Sequence, residues 1–221
     1  MGYMKNRLGW LLIGGLSLAF GFSAALAQDA TPDLTNLPLG DGKVSTSVPQ
    51  VGYIFVCNSG DPNGGGAGGD GPWINSSAGT FDYTQKAIVD GAVAWPDHEL
   101  TITLDGAVRR ISTNDLPDHT TGVFPIASGD DAYQYDRNPN AISTQTFAVD
   151  LPANPTAADA PSCVSGGPIG VTISGSLIFD GLDAQNRDAV AHETQDHCQG
   201  HPQQNGEYHY HNLSSCILDS L

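Results

Sequence analysis

Aspartate outnumbers glutamate 21 to 3 in this chain, and that imbalance restricts the fold more than any motif does. The short Asp side chain bonds to nearby backbone and suits turns and caps, whereas Glu suits helix interiors. Twenty-seven glycines and 14 prolines break the chain further. Only residues 188–195 read as helical, and that stretch is short. The expected class is mostly β, a sandwich or partly closed barrel with long Gly/Asp/Pro-rich loops and little helix. The same acids set a formal charge of −16, which repels nucleic acid and anionic lipid at long range, so no nucleic-acid partner is expected. Neither an EF-hand loop nor a repeated Asp motif turns the acidity into a calcium site.

The N-terminus reads as an export signal. Lys5 and Arg7 precede an apolar run over residues 8–22, and Ala25-Leu-Ala27 offers a small-residue cleavage site before Gln28. Gly14, Gly15, Ser17 and Gly21 interrupt the run and favour cleavage over a membrane anchor. No later segment is apolar enough to span a bilayer. The expectation is a signal peptide over 1–27, an extended arm over 28–50 and a single domain over 51–221, placed in the periplasm or outside the cell. Cys57, Cys163, Cys198 and Cys216 all follow the signal. An even count in an exported chain favours disulfides. The pairing Cys198–Cys216 with Cys57–Cys163 is favoured because the first bracket encloses a histidine-rich segment; the alternative makes Cys198 and Cys216 metal ligands.

Alternating and β-branched runs predict strands over residues 51–57, 99–104, 107–112, 146–151, 169–173 and 176–179. Asp105-Gly106 joins the second and third of these as the clearest hairpin. Gly64-x-Gly66-x-x-Gly69 matches a dinucleotide fingerprint only formally, because it lies in a tract of six glycines that opens no helix. Asp130-Asp131 reads as a solvated turn.

Five of the seven histidines fall within 20 residues: His192, His197, His201, His209 and His211. Tyr208-His209-Tyr210-His211 has the period of a strand, which puts both histidines on one face and both tyrosines on the other. Imidazoles two residues apart on a strand can converge on one ion, and neutral imidazole suits zinc or copper. His201, set in a turn by Gly200 and Pro202, is the first choice for a third ligand, with His192, His197 or Asp196 as a possible fourth. His192-Glu193 begins like a zincin motif. Asp196 occupies the position where the second histidine should stand, so a thermolysin-like peptidase is rejected.

At His197-Cys-Gln-Gly-His-Pro202 and Gly206-Glu-Tyr-His-Tyr-His211 the sequence resembles the YHYH-domain family, exported proteins largely without assigned activity. The likeness extends to Phe179-Asp-Gly-Leu-Asp183, Arg187-Asp188 and residues 132–140, about 50–216 in all. Family members usually continue into an Asp-Gly-Phe-Pro-Ile-Tyr-like run. The chain stops at Leu221, so the resemblance implies a C-terminally truncated domain. Three readings follow: an extracytoplasmic module binding zinc or copper; a metal-assisted extracellular hydrolase in which Glu193 or Asp196 acts as base; and a structural or adhesive secreted domain with packed histidines. The expected partners are a metal ion and an unidentified extracellular ligand or substrate.

Overall fold

A short antiparallel ladder packs against the segment that precedes the histidine cluster. The computed structural model describes residues 32–58 and 67–218. The expected signal peptide and the first half of the glycine-rich loop lie outside those residues. The described residues from Asp33 onward belong to one unit. Strands β1 (Leu37–Pro38), β4 (Ile74–Asn75) and β5 (Thr80–Phe81) form a three-stranded sheet in the order β1-β5-β4. A parallel pair joins β2 (Val44–Ser45) to β3 (Ile54–Phe55). The stretch expected to be an extended arm thus supplies two strands and buries Leu39. Leu39, Trp73, Phe81 and Ala191 form one core cluster, where the Trp73 indole donates to the Ala191 carbonyl at 2.8 Å. That bond satisfies the polar edge of a buried Trp and anchors the segment just before Glu193.

The predicted hairpin is present. β6 (Leu100–Asp105) and β7 (Val108–Thr113) pair antiparallel over six unbroken positions, and β8 (Phe147–Pro152) continues the sheet. Gly106, at φ +60°, turns the chain between them. Directly opposed residues share a face, so the register stacks Ile102, Ile111 and Val149 together, and Leu104, Arg109 and Leu151 together. Most of β6 is exposed on both faces.

The four-stranded sheet is built differently. β9 (Pro168–Val171), β10 (Leu177–Phe179), β11 (Gly200–Pro202) and β12 (Tyr208–Tyr210) stand in the order β11-β12-β10-β9. The β10–β12 pair is parallel and the others antiparallel. A parallel pair needs a crossover, and here the crossover contains α1 (Ala189–His192) and β11. α1 is one turn, shorter than the stretch read as helical, and Asp188 caps it through Ala191 N–H at 3.3 Å. The corresponding feature after β12 is the short helix α2 (Ser215–Leu218). Among the described residues no sheet closes on itself, which removes the barrel alternative and leaves an open, sandwich-like, mostly β fold.

Both disulfides have the favoured pairing, Cys57–Cys163 and Cys198–Cys216. Cys198 and Cys216 are therefore not available as thiolate ligands. The second bridge joins the segment entering β11 to α2.

Candidate metal centre

Four side chains from three separate segments meet at the site. His209 lies in β12 and His211 just past its end, on the face opposite Tyr208 and Tyr210. His201 lies in β11 directly opposite His209. It stands in a strand, not in the turn expected from Gly200 and Pro202. The turn comes later, at Asn205 and Gly206, both with positive φ (79° and 82°), the chemistry that folds one strand back onto the next. Gly200 is needed for a close approach: a Cβ there would meet the Tyr208 ring at 2.3 Å. Glu193 follows α1 and brings its carboxylate to the same point.

The distances are those of donors around one ion. His209 Nε2 and His211 Nε2 are 3.2 Å apart, and Glu193 Oε2 lies 3.1 Å from both His201 Nε2 and His211 Nε2. Two donors on a four-coordinate ion with bonds of ~2.0–2.1 Å are about 3.3–3.4 Å apart. One ligand atom from each of the three histidines falls within 4.8 Å of the others. Glu193 Oε2 and both ring nitrogens of His201 are buried, yet none makes a hydrogen bond of acceptable geometry. Buried polar groups are seldom left so. Their closeness without hydrogen-bond direction fits atoms aimed at a shared cation.

The outer contacts fix the rings in the required tautomer. His209 Nδ1 donates to the Glu207 carbonyl at 3.2 Å, and His211 Nδ1 donates to the Asp180 carbonyl. Each Nε2 lone pair is thereby turned inward, the usual role of partners behind ligand histidines. Phe179 lies against His209 with ring centroids 4.1 Å apart and walls the site.

The charge balance agrees. Burial alone would raise the Glu193 carboxyl, but the facing His201 and His211 rings hold it well below the usual carboxylate range. Burial, then the neighbouring His201 and His211, keeps His209 well below the ordinary imidazole value, so its lone pair is free at neutral pH. His211 is also pushed down by burial, but Glu193 outweighs that and raises it.

The other sequence candidates lie elsewhere. His192 points away, with Nε2 2.8 Å from Asp41 and Nδ1 3.3 Å from Asp70. His197 is exposed, 3.3 Å from Thr120 Oγ1. Asp196 is buried and fully engaged: it accepts from the Gly122, Cys198 and Gly200 amides and from the Tyr208 hydroxyl. It braces β11 against β12 and has no spare oxygen for an ion or a substrate proton. Glu193, considered from sequence only as a weak catalytic base, is the acid that reaches the cluster. Sequence reading missed His119, whose Nε2 lies 2.6 Å from the Tyr210 hydroxyl behind the site. It stands 91 residues from Tyr210 in the chain, so no local spacing could reveal it.

The cluster forms part of the wall of a cavity of about 1040 Å³. Among the described residues no helix is long and apolar enough to cross a membrane. Residues 148–221 match the family described as YHYH protein, a segment that contains Glu193 and all three site histidines. No curated protein and no solved structure matches the chain.

Proposed function

We propose that this chain is an exported metal-binding domain in which His201, His209 and His211 hold one zinc or copper ion. Glu193 supplies the oxygen donor, in place of the other fourth-ligand candidates. The observation that carries this reading is the convergence of four buried donor atoms, two of them without a hydrogen bond, with three of their separations at 3.1–3.2 Å. Imidazole nitrogen with a single carboxylate suits a borderline transition ion better than calcium or magnesium, which take oxygen. Two disulfides suit an oxidising compartment, periplasmic or extracellular.

A second reading, metal-assisted hydrolysis, draws on the cavity. A structural site is closed, whereas a catalytic one keeps an open position, and here site residues line about 1040 Å³ of space. An ion held there would supply Lewis-acid polarisation. The chain's own part would be to orient three imidazoles and keep Glu193 ionised beside them.

Titration of zinc and copper(II) into untagged, metal-stripped protein tests the proposal. Wild type should take up one equivalent, and the His209→Ala/His211→Ala double variant should take up none at the same concentration. Equal uptake by both proteins, or none by wild type, refutes the site.

A further inference from the structure

The cavity beside the histidines has walls whose chemistry selects among ligands. Its volume of about 1040 Å³ stands at the upper end of the ~300–1,000 Å³ usual for small-molecule sites. It can therefore take more than water on an ion.

Charge narrows the class. Apart from Glu193, which faces the histidines, the wall carboxylates already have partners. Asp183 is paired with Arg187 at 2.7 Å. Asp180 accepts from the Gly167 and Leu182 amides, and Asp136 from the Asn138 and Thr194 amides. Their oxygens are largely taken by partners in the protein, which leaves few of them to bond a ligand directly. An anionic ligand fares no better: Arg137 is the one Lys or Arg among the lining residues described. It is exposed and packs over the Tyr133 ring at 5.3 Å. The chain as a whole, at −16, repels anions.

What the wall does offer is carboxamide. Gln134, Asn140 and Gln204 line the cavity. The side-chain hydrogen bonds among the described residues include none from these three. Each carries donors and an acceptor together, which matches a hydroxyl, itself donor and acceptor. Glu193 and His201 line the same cavity, with buried atoms that make no hydrogen bond.

We infer that the cavity binds a neutral polyhydroxylated ligand, an oligosaccharide, with Gln134, Asn140 and Gln204 bonding its hydroxyls and one end lying over the histidine cluster. This rests on the metal reading above, since the cluster end is completed by the ion.

Calorimetric titration with defined sugars tests it. The probes are the neutral hexaoses of cellulose, starch and chitin, with hexagalacturonate as the charged control, against zinc-loaded, copper-loaded and metal-stripped protein. The expected result is saturable binding of at least one neutral hexaose, at least tenfold tighter than hexagalacturonate and at least tenfold tighter with metal than without. The Gln134→Ala/Asn140→Ala/Gln204→Ala variant should bind metal as wild type does and lose tenfold or more in sugar affinity. Metal uptake without binding of any neutral hexaose overturns this inference alone. So does preference for hexagalacturonate, or a triple variant that binds sugar as wild type does. Equal sugar affinity with and without metal also overturns it, because it severs the ligand from the cluster. Failure of wild type to take up either metal overturns both this inference and the metal reading.

Discussion

The two larger sheets of this molecule are built on opposite terms. The β6–β8 sheet is sequential and antiparallel with an unbroken register, and its outer strand is exposed along nearly its whole length. The β9–β12 sheet mixes parallel and antiparallel pairs, sets α1 and β11 in the chain between its paired strands β10 and β12, and buries every residue of β11 and β12. The first is held by backbone pairing between successive strands and leaves much of its surface exposed. The second depends on contacts that cross it, through Asp196, the Cys198–Cys216 bridge and the buried tyrosines. Function gathers where the non-local contacts are, because only there are four donor atoms from separate segments held at fixed distances.

The largest effect should come from removing the brace behind the site. Asp196→Ala strips the acceptor from three amides and the Tyr208 hydroxyl, all buried. We predict a loss of about 4 kcal/mol, read by chemical denaturation, together with loss of metal uptake. Replacing Cys198 and Cys216 by Ser opens a bridge with a sequence separation of 18. The expected loss is about 3 kcal/mol. A cost near zero in either variant would erase the contrast between the sheets.

Asp115 sharpens it through pH. Its carboxyl is pushed up to about 8, first by burial and then by Glu207, and its Oδ2 has no hydrogen-bond partner. The folded state therefore keeps a proton that the unfolded state loses above its ordinary value of 3.8. The stability that this proton provides is complete below that value and is lost as pH rises through about 8. Asp115→Asn mimics the protonated form and tolerates the positive φ of 62°. Thermal melts should show little difference from wild type at pH 4 and a gain of about 1–3 kcal/mol at pH 9. A gain of the same size at both pH values would contradict the assignment. Least should follow from Arg110→Ala in the exposed sheet. The Arg110–Asp150 pair, at 3.1 Å, leaves both side chains more than half exposed, so the cost should stay below about 0.5 kcal/mol.

The same contrast explains what the sequence revealed. The hairpin was legible because Thr101, Thr103 and Asp105 alternate with apolar residues and a Gly follows at once. The scarcity of helix was legible in the Asp excess. His209 and His211 announced a shared face by spacing alone. Glu193 did not announce itself as their partner: it reaches them through a one-turn helix and a parallel crossover, and neither leaves a periodic trace. Asp196, His192 and His197 were equally plausible by proximity in the chain. Only the tertiary hydrogen bonds of Asp196, the Asp41 contact of His192 and the exposure of His197 separate them from the site.

The most direct test of the central claim is the X-ray absorption spectrum of the zinc- or copper-loaded protein, compared with that of the Glu193→Gln variant. The account predicts three imidazole nitrogens and at least one oxygen around the ion, no sulfur, and an altered oxygen shell in the variant. Sulfur scattering, or a shell with fewer than two imidazoles, would contradict it.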